Sequence, residues 1–172
     1  MMRRLAEERA EKAKSRRYGP DYSIGATYYD ARDEAVRRGD RVVGTEHLVL
    51  ALLADPASPA ARALGRDLAA ARSALEGLDG QALAAIGIQP GITAGPIAVR
   101  PPGRLRLTPA AKAIFTGGGD ARRARGPRLE TVLSALLDLP RPDPAAELLA
   151  ALGVDARAAR ERFAALDQEG RR

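Results

Sequence analysis

The sequence lacks cysteine entirely and contains a single histidine, His47. Without cysteine the chain can form no disulfide and offers no thiolate for catalysis, for a zinc site or for an iron–sulfur cluster. One imidazole leaves almost no scope for a histidine-based metal site, and no Ser–His–Asp arrangement can be recognised around it. These absences argue against an enzyme and against a metal or another cofactor.

Aromatic side chains and long apolar runs are also scarce. Aromatic residues make up 3% of the 172 residues, whereas hydrophobic residues make up 45% and alanine alone fills 36 positions. A core of Ala, Leu and Val favours helix over sheet. The longest apolar run, 48–54, is far too short to cross a bilayer, and residues 1–17 contain no apolar stretch of the kind that a secretory signal needs. We therefore expect a cytoplasmic protein with no membrane partner.

The positive charge is concentrated at the two ends of the chain. The formal net charge is +6, which by itself suggests a polyanionic partner. However, residues 1–17 hold seven basic and three acidic side chains, and Arg171 and Arg172 add two further charges, so that residues 18–170 are neutral. Nucleic-acid-binding domains concentrate basic residues on the face that reads the ligand. Nucleic acid is therefore not the expected partner, and residues 1–20 are predicted to be a solvated basic tail or helix, with a contact arm for a partner as the alternative.

Helix signals dominate the first half of the chain. Ile24, Tyr28, Ala31 and Ala35 share one face of a helix that should end near Gly39.

Three N-capping residues then precede apolar segments. They are Thr45, Ser58 and Asp67, and the helix after Asp67 is predicted to run to about Leu78. The many prolines and glycines of residues 87–106 predict a linker.

The same order of signals returns after the linker. Three pairs of segments correspond: EHLVLALL at 46–53 with ETVLSALL at 130–137, Ser58-Pro59 with Asp143-Pro144, and LGRD at 64–67 with LGVD at 152–155. Such an internal repeat determines the architecture. We predict an all-α fold, a tandem of two four-helix repeats with about eight helices and pseudo-two-fold symmetry. The first repeat spans 21–86 and the second spans 107–167, while 168–172 form a basic C-terminal tail.

The two repeats differ between Phe115 and Glu130. Gly117, Gly118 and Gly119 each cost a helix about 1 kcal/mol, which predicts a basic loop over 122–128. This loop is either a tolerated insertion or deletion, or a functional loop that binds an anion or gates access of a partner.

Three segments carry a family resemblance. VVGTEHLVLALL at 42–53, LTPAAKAIF at 107–115 and LGVDARAARERF at 152–163 resemble the N-terminal domain of ClpA- and ClpC-type unfoldases. That family domain receives substrates and adaptors, and it is itself a tandem of two four-helix repeats. The resemblance covers about residues 22–166 and therefore implies the same fold as the repeat analysis.

The sequence departs from the family pattern at several places. The Gly-Thr-Glu-His signature is complete at 44–47, whereas the corresponding segment 128–131 keeps only Glu130. Pro20-Asp21-Tyr22-Ser23 replaces the family's aromatic-Thr opening. No G-x-x-x-x-G-K-[ST] phosphate loop occurs anywhere in the chain, so ATP binding by that route is excluded. We therefore expect a free-standing N-domain without AAA+ modules.

The resemblance also implies a ligand site. In ClpC-type domains the Glu of each signature binds phosphorylated arginine, a degradation mark, and the matching positions here are Glu46 and Glu130. A carboxylate accepts the guanidinium fork bidentately, and Thr45 with nearby backbone amides at a helix start would hold the phosphoryl group.

Each of these residues has a structural alternative. In the structural alternative, Thr45 is simply a helix cap, and the Glu46 carboxylate simply interacts favourably with the positive end of the helix dipole. Arg128 can pair with Glu130 or add a phosphate contact. His47 is expected to be a hydrogen-bonded structural residue, and Gly65 and Gly153 are expected to be turn or cap glycines.

The expected function is non-catalytic recognition of peptides or proteins. The resemblance implies Clp unfoldase or protease components, or their clients, as partners, with the chain acting as an accessory or a decoy in Clp proteolysis. It also implies cyclic peptide natural products as ligands. The alternative is a small helical nucleic-acid-binding regulator that uses the basic tail and residues 122–128, whose affinity for DNA should fall steeply with salt.

Overall fold

The computed structural model describes residues 24–88, 105–116 and 129–170. These residues form helices and two very short strands. The helices are α1 (Ile24–Arg38), α2 (Thr45–Leu52), α3 (Pro59–Leu64), α4 (Leu68–Ala85), α5 (Pro109–Thr116), α6 (Leu129–Leu137), α7 (Pro144–Ala151) and α8 (Ala156–Gly170). Strands β1 (Val42–Val43) and β2 (Arg106–Leu107) precede α2 and α5. The predicted all-α class is confirmed.

The third helix of each repeat begins in the same way. The side chains of Ser58 and Asp143 accept hydrogen bonds from first-turn amides, at 3.1 and 2.9 Å, and each is followed by a proline that needs no amide partner.

The third helices also end alike. Gly65 and Gly153 adopt φ values of +63° and +64° in the left-handed region that favours glycine. Asp67 and Asp155 then cap α4 and α8 through side-chain bonds of 2.7 and 2.6 Å. The predicted caps Ser58 and Asp67 and the predicted turn glycines are confirmed. The prediction that Thr45 caps α2 is wrong: Gly44 is the N-cap residue, Thr45 is the first residue of the helix, and the Thr45 side chain caps nothing in α2.

Each of the main helix–helix contacts between the repeats has a counterpart that is obtained by exchanging the two repeats. Helix α2 contacts α7 as α6 contacts α3, and α3 contacts α8 as α7 contacts α4. Both first helices also pack on the second helices of their own repeats. This pattern is the pseudo-two-fold arrangement that the repeated sequence predicts.

The core is built from Ala, Leu and Val, with helix α2 at its centre. All residues of α2 except Glu46 are buried. Fully buried leucines from α2, α6 and α7 meet in this core, namely Leu48, Leu50, Leu136 and Leu148. Each repeat therefore completes its burial against the other.

The strand pairing was not predicted. β1 and β2 are parallel, with Val42 opposite Arg106, a residue within the predicted linker. Two-residue strands carry no readable period, which is why the pattern missed them. The hydroxyl of Tyr28 also donates to the carbonyl of Leu105 over 2.9 Å, so the start of the second repeat is fixed on the first.

Helix α4 is longer than predicted, because it runs to Ala85 instead of about Leu78. Gly77 and Gly80 do not end the helix; the positive-φ residue that follows it is Gly87. Even so, none of the helices in the described ranges combines the length and the apolar character that a membrane crossing requires.

A partly buried ion-pair cluster joins α1 to α4. The Glu34 carboxylate accepts hydrogen bonds from Arg72 of α4 and from Arg37. Burial alone would raise the pKa of Glu34, but the bonds and charges of Arg72 and Arg37 outweigh it, so the pKa lies below its ordinary value of 4.5.

Because the pKa of Glu34 is depressed by folding, its stabilisation is present above the unfolded-state pKa and is lost as the pH falls through the folded value. We expect Glu34→Gln to lower the free energy of unfolding by about 1–3 kcal/mol at pH 7. The difference from the wild type should shrink at about pH 3.5. Urea unfolding at both pH values measures this, with Glu161→Gln in an exposed pair of α8 as a control that should stay within about 0.5 kcal/mol.

Candidate functional site at the start of helix α2

The complete Gly-Thr-Glu-His signature lies where β1 passes into α2. Gly44 is the N-cap residue, with extended backbone, and Thr45, Glu46 and His47 form the first turn. The Val43 carbonyl accepts from the Thr108 amide over 2.9 Å, so the strand contact fixes the chain immediately before the signature. The first turn of α2 is therefore held on a rigid part of the fold.

His47 is a structural residue. Its Nδ1 accepts a hydrogen bond from the Gly44 amide over 3.0 Å, so the ring proton lies on Nε2, which donates to Asp40 Oδ2 over 2.9 Å. The side chain is 1% exposed. Since the third helical residue bonds back to the N-cap amide, His47 occupies the position that Glu or Gln takes in a capping box. The expectation of a hydrogen-bonded histidine is confirmed.

Asp40 connects this histidine to a wider network. Its Oδ2 also accepts from Arg38 Nε over 2.9 Å, and Arg38 Nη2 donates to Asp79 Oδ2 over 2.9 Å. Burial would lower the pKa of Arg38, but the bonds and charges of Asp40 and Asp79 outweigh it and raise that pKa. This network could not be predicted from the sequence, because Asp40 belongs to the loop after α1 and matches no motif.

Asp40, Glu46 and His47 bring potential ligand atoms within 4.8 Å of one another. The two carboxylates lie against opposite ring nitrogens of His47, and both nitrogens already make hydrogen bonds. One ion could not reach all three groups without breaking the cap at Gly44. Hydrogen bonding therefore explains why Asp40 and His47 lie together.

Glu46 is the unusual member of the signature. Its Oε1 lies 3.2 Å from His47 Nδ1, but that nitrogen carries no proton and donates nothing to it. Its Oε2 is shielded from solvent and has no hydrogen-bond partner among the described residues. The side chain as a whole is 16% exposed. The result is a largely buried carboxylate whose Oε2 has no donor within the described part of the chain.

Gly44 makes room for this carboxylate. A Cβ atom built on Gly44 would lie 2.3–2.6 Å from the three carboxyl-group atoms of Glu46. Its φ of −93° is open to any residue, so the requirement for glycine comes from space. A methyl group there would displace the Glu46 side chain. This contact gives a physical reason for a glycine two residues before the glutamate.

Thr45 faces the second repeat. The residue is 2% exposed, and its hydroxyl donates to Asp143 Oδ1 over 2.7 Å. Asp143 caps α7, and the Ala145 amide lies 3.4 Å from the same hydroxyl. The Thr45 side chain thus joins the starts of α2 and α7. The sequence does not predict this contact between Thr45 and Asp143, which are 98 positions apart. It predicts only that each residue is a cap of its own helix.

The second predicted site is described only at Glu130. This residue is exposed in the first turn of α6, the position in the second repeat that corresponds to Glu46. Arg128 and the 122–128 loop lie outside the described residues, as do residues 1–20, residues 89–104 of the linker and the last two arginines.

Comparison with known proteins bears on this arrangement. The family model for the Clp repeat (R) N-terminal domain matches residues 26–138, well over half of the chain and including both signature positions. A search of curated proteins gives no match. The repeated helices, the signature at the start of α2 and the extent of the match together lead to one conclusion: the chain belongs to the Clp repeat N-terminal domain family.

Proposed function

We propose that the chain is a non-catalytic recognition module that binds phosphoarginine-bearing polypeptides through Glu46, in or beside the Clp proteolytic system. Its family is a substrate-binding domain and not a catalytic one. These 172 residues contain no phosphate loop, so recognition is the step that they can carry themselves.

The observation that carries the proposal is the Glu46 Oε2 atom, which has no hydrogen-bond partner among the residues that the structure describes. A guanidinium group presents two parallel N–H donors that match a carboxylate, and it would satisfy the oxygen that otherwise lacks a donor. The phosphoryl group would then lie against the first-turn amides of α2, where the helix dipole favours negative charge. The Thr45 hydroxyl is committed to Asp143, so the contribution proposed for Thr45 is its backbone amide.

Glu130, with Arg128 beside it, is proposed as a second and weaker site. Glu130 is exposed and begins a helix in the same way. The segment before it lacks the glycine that makes room for the carboxylate at the first site, and threonine replaces the histidine after it. The Glu130 carboxylate therefore lacks the two signature residues that flank Glu46, which is why we propose a weaker site.

Calorimetric titration with free phosphoarginine tests the proposal. We expect Glu46→Gln to weaken binding by at least about tenfold, because a neutral amide of the same shape loses the charged fork contact. Glu130→Gln should have a smaller effect. Glu161→Gln, which removes an exposed carboxylate of α8, is the control and should match the wild type. Absence of binding to the wild type, or equal binding by Glu46→Gln, would overturn the proposal.

The proposed partners are Clp unfoldase or protease components, their clients, and cyclic peptide natural products. A pull-down against purified Clp subunits tests the first group. In a reconstituted degradation assay, faster degradation of a marked client on addition of the chain indicates delivery, and slower degradation indicates competition.

A further inference from the structure

A groove of about 320 Å³ lies between the two repeats, where α3 and α7 end and α8 begins. Its polar lining comes from Arg62, Arg66, Arg162 and Asp155, with the turn glycines Gly65 and Gly153 between them. Thr45 contacts the opposite end of α7, and an eight-residue helix is about 12 Å long. We call this feature the inter-repeat arginine groove, and it is separate from the site at Glu46.

Two of the arginines are held in place by backbone carbonyls. Arg66 donates from Nε to the Leu152 carbonyl over 2.6 Å and from Nη1 to the Gly65 carbonyl over 2.9 Å. Arg162 donates from Nε to the Ala63 carbonyl over 2.7 Å. These bonds orient both guanidinium groups but neutralise neither of them, and Arg162 uses only one of its five N–H donors in them.

The third arginine, Arg62, is exposed, and within the described residues its side chain makes no hydrogen bond or ion pair. Its backbone amide donates to the Ser58 carbonyl over 3.1 Å. Many other arginines of the described ranges pair with carboxylates: Arg37, Arg38, Arg72, Arg141, Arg157 and Arg160. The one carboxylate lining the groove, Asp155, accepts from the Ala158 amide as the cap of α8. Three guanidinium groups thus face one aspartate that already has a donor.

We propose that the inter-repeat arginine groove binds a multiply charged phosphate-type oxyanion. Preorganised guanidinium forks are the usual protein recognition groups for phosphate oxygens. The volume lies at the lower end of the range of small-ligand sites, about 300–1,000 Å³, so it leaves room for more than one phosphoryl group or for the atoms that carry one. The ligand is either a free phosphorylated molecule or a phosphoryl group borne by a peptide.

The test is calorimetric titration of the whole chain with inorganic pyrophosphate and with a phosphoserine tripeptide, at low salt. We expect binding to the wild type and at least about tenfold weaker binding to Arg62→Gln. The Arg62 side chain is exposed and has no polar partner within the described ranges, so this variant should keep the wild-type circular dichroism spectrum and melting temperature. Arg162→Gln provides a second variant from the other side of the groove.

Two controls make the result specific. Arg157→Gln removes the same charge from α8 outside the groove lining and should bind like the wild type. Glu46→Gln should also bind like the wild type, which separates this groove from the proposed phosphoarginine site. Tighter binding of pyrophosphate assigns the groove to free phosphates, and tighter binding of the peptide assigns it to protein-borne ones. If the wild type binds neither probe, or if Arg62→Gln and Arg157→Gln lose affinity equally, the proposal is wrong.

Discussion

Replacement of Leu148 by alanine should lower the free energy of unfolding by about 2–5 kcal/mol. Leu148 lies on α7 with no exposed surface, and α7 packs against α2 and α4 of the first repeat as well as α6 of its own. The substitution removes apolar atoms from the region where the repeats meet, and neighbouring helices can only partly fill the space.

Urea unfolding followed by far-ultraviolet circular dichroism measures this effect, since the chain has no tryptophan. The matched control is Leu83→Ala, on the part of α4 that extends beyond the core, where the leucine is 38% exposed. This variant should change stability by no more than about 0.5 kcal/mol. Because both repeats bury Leu148, we expect one transition that moves as a whole. Equal losses in the two variants would contradict the packing of α7 between the repeats.

The architecture was predictable because the same cap and turn residues recur in the same order in both repeats. Ser58 and Asp143 each stand before a proline, and Gly65 and Gly153 each stand between a helix end and a new cap. Caps and left-handed turns depend on the chemistry of a few neighbouring residues, so one sequence is enough to place them. Their repetition then gives the tandem arrangement.

The contacts between distant segments could not be predicted in the same way. Thr45 and Asp143 were each assigned to their own helix, yet their side chains bond to each other across the repeats. The pairing of β1 with β2 likewise depends on how the second repeat returns to the first. Such contacts follow from tertiary packing and leave no period in the sequence.

The candidate site was predictable in identity and not in geometry. The signature singled out Glu46, but only the structure shows that its Oε2 has no donor in the described ranges and that Gly44 makes room for the carboxylate. The proposed ligand contact is also opposite in charge to the chain as a whole. A chain of net charge +6 carries its basic excess at its ends, while its proposed ligand contact is a carboxylate.

Replacement of His47 by alanine should cost about 2–4 kcal/mol of unfolding free energy, because it leaves the buried Gly44 amide without an acceptor and opens a cavity in the core. His47→Gln is the matched variant. Glutamine is a normal third residue of a capping box and can accept from the same amide, so it should recover about 1 kcal/mol relative to alanine. Urea unfolding of the three proteins gives both differences, and equal losses for alanine and glutamine would show that the bond to Gly44 contributes nothing.

Phosphoarginine titration of the same two variants separates structure from binding. The imidazole nitrogens are occupied by Gly44 and Asp40, so His47 has no free group to offer a ligand. If its contribution is to hold the first turn of α2, His47→Gln should bind phosphoarginine within about threefold of the wild type, because the restored cap keeps Glu46 at the start of the helix. A loss in His47→Gln as large as that in Glu46→Gln would instead place the imidazole in contact with the ligand. Contact with the ligand would require His47 to release Gly44 or Asp40 on binding. The melting temperature of His47→Gln without ligand separates this explanation from loss of structure: a value near that of the wild type indicates a lost ligand contact, and a lowered value indicates a damaged first turn.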